Sequence, residues 1–272
     1  MTMTTEAAPA VPRGLQRTDV RLTRGLLRSL LLYYGAPFKI RRLAGLYRRF
    51  VAPGELCFDV GAHVGDRTRA LLRLGARVVA VEPQPPFAGL LRRLYGKNRH
   101  VTVVEAAVAA NEGHGEMYVS RRTPTVSSLS RGWVEGVRQA PRFAGVTWDE
   151  NVPVAVTTLD SLVTRFGRPA FIKLDVEGGE PEALAGLSTP VRALSFEYVP
   201  AMRAATRACF ERLDRLARYE YNWTVGESPR LRSPEWLPAD RLRVILEALP
   251  DGAKSGDVYA RRARDDGTPR PT

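Results

Sequence analysis

Residues 56–68, Leu-Cys-Phe-Asp-Val-Gly-Ala-His-Val-Gly-Asp-Arg-Thr, constrain the fold of this chain more than any other stretch. Leu56, Cys57, Phe58 and Val60 make a short apolar run of the kind buried in a parallel sheet. Gly61 and Gly65 permit a sharp turn and a close backbone approach that a Cβ would block. From Asp66 the residues suit a first helical turn, with Ala70, Leu71, Leu72 and Leu74 as apolar positions. Strand, glycine turn and helix in that order predict an open α/β sheet, with a nucleotide-like ligand at the strand's carboxyl end.

The turn also discriminates between nucleotides. A dinucleotide fingerprint needs G-x-G-x-x-G so that bare backbone N–H groups receive a pyrophosphate. Here His63 stands at the second glycine, and Asp59 precedes the first. A carboxylate repels a pyrophosphate and attracts an amine. S-adenosylmethionine, with a nucleoside, an ammonium group and no phosphate, therefore fits better than NAD, and an NAD-dependent oxidoreductase is disfavoured. A β-rich run, residues 77–82, ends in Glu82 about 20 residues past the first glycine, where an acid accepts from ribose hydroxyls.

Four segments carry a family resemblance: residues 59–65, residues 81–83, Thr-Thr-Leu-Asp-Ser-Leu at 157–162, and Phe-Ile-Lys-Leu-Asp-Val-Glu-Gly-Gly-Glu at 171–180. In order and spacing they resemble the FkbM family of S-adenosylmethionine-dependent methyltransferases, from about Glu55 to Tyr198. The lysine–aspartate–glutamate–glycine element is the most specific part, since generic methyltransferases lack it. His63 departs from the family, which usually has asparagine there. The resemblance implies a doubly wound, Rossmann-like class I methyltransferase sheet of about seven strands, with methyl transfer to an acceptor oxygen on a sugar or secondary metabolite. It also puts the segment after the third strand beside the adenine, making Glu105 and Ala106 candidates there, and it matches Ser127, Ser128 and Leu129 to a serine-serine-leucine element. Asp59, Gly61, His63, Gly65 and Glu82 complete the expected cofactor set.

The chain has 272 residues and a formal net charge of +12. Arginine supplies 37 of its 41 basic residues, and arginine, alanine and proline richness is also what a GC-rich genome produces, so charge alone is weak evidence for nucleic acid. Cys57 and Cys209 lie among apolar neighbours and are expected as buried free thiols in a reducing, cytoplasmic compartment. Residues 1–12 are expected to be a disordered leader, and the apolar run at 30–34 is far too short to span a bilayer. Residues 13–50 hold ten basic residues against one acid, Asp19. Apolar residues at helical spacing predict two basic amphipathic helices broken near Gly35-Ala36-Pro37. These helices either pack on the sheet with solvated arginines, the favoured reading, or offer an anionic partner a surface. The methyltransferase domain is expected over residues 51–264, and residues 265–272 as a polar tail.

Further along, residues 86–97 read as a helix, 101–104 as a third strand, and 111–130 as a strand-rich insertion of the kind that reaches over a site. Trp133, Phe143 and Trp148 lie in a stretch without clear period and are expected in a core. A strand at 152–158 and a helix at 159–166 lead to a fourth core strand at 171–176. Lys173 and Asp175 are two apart and share a face of this apolar strand, so they need partners or a purpose. Glu177 continues at the same rim, Pro181 starts a helix, and a fifth strand at 193–198 carries Glu197. A helix at 202–219 and a strand–helix–strand ending fit the antiparallel closure of a methyltransferase sheet.

Displacement at the methyl requires an acceptor hydroxyl held close and partly deprotonated. Asp175 is the expected base, with Glu177 and Glu197 as neighbours and Lys173 setting its protonation. An alternative is Mg²⁺ on Asp175 and Glu197, which is not favoured because such sites usually show more carboxylates or retained waters. From another functional class, the chain could be a nucleic-acid or membrane-surface module on an inert fold, revealed by salt-sensitive retention without cofactor affinity.

Overall fold

The computed structural model describes residues 37–263, except 121, 139–142 and 144. Its centre is a seven-stranded sheet built from β1 (Leu56–Val60), β2 (Arg77–Val81), β3 (Val101–Val104), β7 (Phe171–Leu174), β8 (Ala193–Tyr198), β9 (Tyr219–Trp223) and β10 (Gly256–Arg262). The order is β3-β2-β1-β7-β8-β10-β9, and only β10 runs against its neighbours. The expected doubly wound sheet with an antiparallel closing hairpin is thus what forms.

Helices on both faces explain why these strands read as continuous apolar runs. Register separates the faces. Cys57, Val78, Phe171, Ala193 and Tyr259 point to one side, where they pack with Ile40, Leu43 and Tyr47 of α1 (Pro37–Tyr47) and Leu71 of α2 (Asp66–Leu72). Phe58, Val79, Ile172, Leu194 and Val258 point to the other. There they meet α5 (Leu159–Phe166), α6 (Glu180–Ala185), α7 (Arg203–Leu216) and α8 (Ala239–Glu247). α3 (Pro85–Tyr95) covers Ala80 on the first face through Leu91, while its Leu94 is exposed. Both cysteines are buried free thiols.

The second of the two basic helices is α1, and it takes the packed reading. Its apolar side is buried and Arg41 and Arg42 are exposed, as are Arg48 and Arg49 just after it. The first expected helix, the leader and the polar tail lie outside the described residues. No helix among the described residues is long and apolar enough to cross a membrane.

Between β3 and α5 the chain builds a small second sheet, β4-β6-β5, from β4 (Ala107–Val108), β5 (Gly113–Val119) and β6 (Glu150–Thr157). The insertion also contains α4 (Arg131–Val137), which the sequence did not signal. Gly132 and Gly136 dilute its period, and it is held by the Ser130 cap, which accepts from the Trp133 amide, and by buried Trp133 and Phe143 with half-buried Trp148 packed against them. Trp133 and Phe143 are core, as expected, and Trp148 is half-buried at its edge.

Candidate active site

A cleft of about 390 Å³ opens at the carboxyl ends of β1, β2, β7 and β8. In the strand order, β1 and β7 are adjacent while the chain winds outward from them in both directions, which is where α/β sheets bind ligands. Gly61, His63, Glu82, Ala106, Asp175, Glu177 and Glu197 all line it.

The β1 turn is built from left-handed backbone. Gly61 has φ 80°, His63 φ 48° and Gly65 φ 82°. Histidine and asparagine are among the few side chains that tolerate this region, which accounts physically for histidine where asparagine is usual. The glycines are needed for protein–protein approach: a Cβ on Gly61 would lie 1.8 Å from the Asp175 carbonyl oxygen, and one on Gly65 would lie 2.8 Å from Leu91 Cδ2. Gly61 therefore lets the β1 turn rest directly on the backbone of Asp175.

Glu82 is buried, and its two oxygens accept from the His63 amide at 2.8 Å and the Gln84 amide at 2.9 Å. Each carboxylate oxygen has a second lone pair, so both can accept again from a ligand hydroxyl. Burial pushes this carboxyl up to about 7 against the pull of those amides. The His63 ring packs against Phe87, tilted by 39° with centroids 4.1 Å apart, and burial lowers its imidazole to about 4, so the ring is neutral at physiological pH. Asp59 lies beneath the turn rather than on the cleft wall: it is buried and accepts from the Thr68 hydroxyl at 2.5 Å. Burial raises it to about 6, opposed by that hydrogen bond. Glu105 sits outside the lining and pairs with Arg92, whereas its neighbour Ala106 lines the wall.

Lys173 is fully buried. Its Nζ lies 3.0 Å from Asp257 Oδ1 and 3.5 Å from Asp175 Oδ2, and it donates to the Leu174 carbonyl at 2.8 Å. Burial opposes its charge, but the two carboxylates outweigh this and its affinity for the proton rises. Arg67, in the first turn of α2, pairs with Asp66 and reaches Asp175 Oδ2 at 3.8 Å. Both cations thus approach Oδ2 of Asp175. Asp175, Glu177 and Glu197 gather with ligand atoms within 4.8 Å of one another.

Glu177 has φ 51°, an unusual conformation for a non-glycine residue. It is held from two sides. Ser128 Oγ donates to its carbonyl at 2.7 Å, and the following Gly178, φ 87°, lies against Trp133. A Cβ on Gly178 would meet Trp133 Cδ1 at 2.0 Å. Gly178→Ala is accordingly expected to cost about 2–3 kcal/mol of stability and to displace the Glu177 turn. A denaturant midpoint equal to that of the parent protein would show that the turn tolerates the methyl.

Among the charged cleft residues, Asp66, Arg67, Glu227, Lys254 and Asp257 carry no site role that the sequence signals. Arg67 and Glu227 approach within 3.7 Å, and Glu227 in turn pairs with Lys39 of α1 at 2.9 Å. Nothing in the spacing of these residues announces the contacts.

The methyltransferase FkbM domain matches residues 59–215. The chain belongs to the FkbM methyltransferase family. It is also similar to ribosomal RNA small subunit methyltransferase A of Phenylobacterium zucineum, 28% identical over 227 residues, covering 79% of this chain and 76% of that one. Among solved structures it resembles the precorrin-6y C5,15-methyltransferase of Geobacter metallireducens, at 11% identity and a TM-score of 0.44 over 82% of this chain and 86% of that one. It also resembles a Bacillus cereus O-methyltransferase in complex with S-adenosylhomocysteine, at 15% identity and a TM-score of 0.43 over 88% and 90%.

Proposed function

We propose that this FkbM-family chain transfers the methyl group of S-adenosylmethionine to a hydroxyl of an uncharged acceptor, a sugar or a secondary metabolite. The carrying observation is the charge of the cleft. Among the described residues seven carboxylates line it (Asp66, Glu82, Asp175, Glu177, Glu197, Glu227 and Asp257) against two cations, Arg67 and Lys254. The whole chain carries +12, so this acidity is local. Such a wall attracts a cationic cofactor and repels phosphate.

The residues present suit that cofactor. Glu82 offers a buried acceptor for two ribose hydroxyls at the tip of β2, and Ala106 leaves room for a flat base beside it. Bound there, S-adenosylmethionine supplies an electrophilic methyl group. Asp175 receives the acceptor's hydroxyl proton through Oδ1, while Lys173 and Arg67 hold its other oxygen in place. Those two cations also compete with a metal ion for the Asp175 carboxylate, which supports the metal-free version over Mg²⁺ on the Asp175, Glu177 and Glu197 triad.

Glu82 makes cofactor binding sensitive to pH. Hydroxyl donors favour its ionised form, whereas burial holds the empty site's carboxyl at about 7. Below pH 7 the group is protonated and must lose its proton on binding, so affinity rises with pH through 7 and levels off above. The change is at most about tenfold per pH unit. Calorimetry with S-adenosylhomocysteine between pH 6 and 8, in buffers of different ionisation enthalpy, should show proton release. A flat affinity without proton release would contradict the ribose role.

An RNA acceptor is the second reading, supported by the similarity to a ribosomal RNA methyltransferase. One experiment separates them. Cell extract from a producing strain is incubated with the protein and labelled S-adenosylmethionine, then divided by nuclease digestion and anion exchange. Label in nuclease-resistant, unretained small molecules or glycans fits the uncharged acceptor; label in nuclease-sensitive material would replace it with RNA.

A further inference from the structure

We infer that the amino-terminal rim of the sheet, opposite the catalytic cleft, is a binding site for an oligophosphate, the phosphate chain of a nucleotide or an inorganic polyphosphate. The observation is a row of arginines that the strand order brings together. Arg77 opens β2, Arg168 precedes β7, Arg192 precedes β8, and Arg262 ends β10. These strands, with β1 between β2 and β7, are successive neighbours in the sheet. Because β10 is antiparallel, its last residue meets the first residues of the others.

Backbone hydrogen bonds fix the row. The Arg77 amide donates to the Glu55 carbonyl, the Ala170 amide to the Leu56 carbonyl, and the Arg262 amide to the Arg192 carbonyl, each at 2.8 Å. The four side chains, with Glu55, line an open recess of about 480 Å³.

Among the described residues the charge of this recess is uncompensated. Glu55 is the one acid lining it among the described residues, and it is engaged by Arg192 through two hydrogen bonds of 2.6 and 2.5 Å. That pairing holds the Glu55 carboxyl below the usual range, against the opposing effect of burial. The other contacts orient the guanidiniums without neutralising them. Arg77 Nε donates to the Gly54 carbonyl at 3.3 Å, Arg168 donates to the Pro190 carbonyl, and Arg192 also donates to the Phe50 carbonyl. Arg262 has no hydrogen bond or ion pair to a side chain among the described residues. Three guanidinium charges therefore remain beyond the one that Glu55 offsets.

The shape selects the ligand. A guanidinium presents a planar fork that matches phosphate oxygens two at a time. Adjacent strands are about 4.8 Å apart, so the row from β2 to β10 spans roughly 19 Å. One phosphate is too small to engage it, whereas linked phosphates can bridge neighbouring forks. A recess of this size also holds a small polyanion more readily than a nucleic-acid strand, which needs a track continuing beyond the rim. The site lies at the opposite ends of the strands from Glu82 and Asp175, so occupancy leaves the catalytic cleft open.

The test is calorimetric titration of tripolyphosphate into the full chain at constant ionic strength, with sodium chloride as the charge-screening control. Saturable binding is expected in the parent protein. Arg262→Gln should weaken it by about tenfold or more, the loss of a charge-assisted hydrogen-bond pair. Because the Arg262 side chain makes no hydrogen bond or ion pair among the described residues, this variant should fold normally, and its affinity for S-adenosylhomocysteine should be unchanged. Arg48→Gln, exposed and outside the recess, should leave tripolyphosphate binding unaltered. Equal binding in parent and Arg262→Gln would overturn the site, as would heats no larger than those of sodium chloride. Tighter binding of an RNA oligonucleotide than of tripolyphosphate, with the same Arg262 dependence, would overturn the choice of ligand.

Discussion

A Lys173→Met protein is expected to unfold with about 3–5 kcal/mol less stability than its parent. Methionine fills a similar volume, so the loss is electrostatic. Lys173 is inaccessible to solvent and sits between Asp257 at 3.0 Å and Asp175 at 3.5 Å. Removing one partner of a buried ion pair leaves the other charge without compensation, which costs more than the pair itself contributes. Here two carboxylates are left, and of the two Arg67 reaches Asp175, at 3.8 Å. Asp175 and Asp257 retain some exposure, 29% and 17% of their side chains, which places the expected loss toward the lower end. Adding Asp257→Asn to Lys173→Met should recover part of it. Denaturant unfolding of the four proteins in the cycle measures the coupling. Additive losses would mean that the two side chains act independently.

Asp175→Asn is expected to reduce turnover by roughly 10²–10⁴ while preserving shape and cofactor affinity, because the amide no longer accepts the acceptor's proton. Cofactor binding is expected to persist because Glu82 lies on a different strand. With a plain base, EDTA leaves the parent's activity intact. With a metal on the carboxylate triad, EDTA abolishes activity, Mg²⁺ restores it, and Glu197→Gln is similarly impaired. Near-normal turnover of Asp175→Asn would make Asp175 a structural partner of Lys173 and turn attention to Glu177.

What was legible in the sequence was local. The β1 strand, its glycine turn and α2 are contiguous, so composition and spacing specify them, and the same holds for β7 and its adjacent carboxylates. The contacts that complete the site are not local. Lys173 and Asp257 are 84 residues apart, and they meet because β10 inserts antiparallel beside β8. Ser128 reaches Glu177 across 49 residues for a comparable reason, since the small second sheet folds its insertion over the rim. Asp59 shows a different limit. The sequence located the residue at the end of β1, but strand alternation and the Thr68 hydroxyl decide which way its carboxylate turns. α4 was hidden because its glycines weaken helical propensity, and tertiary packing around Trp133 supplies what propensity lacks.

The central claim is that the cleft beside Glu82 and the Gly61–Gly65 turn holds S-adenosylmethionine. Calorimetric titration of the parent protein and Glu82→Ala with S-adenosylhomocysteine, with NAD as control, tests it most directly. The parent is expected to bind saturably and to be silent with NAD, and the folded variant to lose about 1–3 kcal/mol, the cost of two ribose hydroxyls left without their acceptor. No binding by the folded parent, or equal affinity in Glu82→Ala, would contradict it.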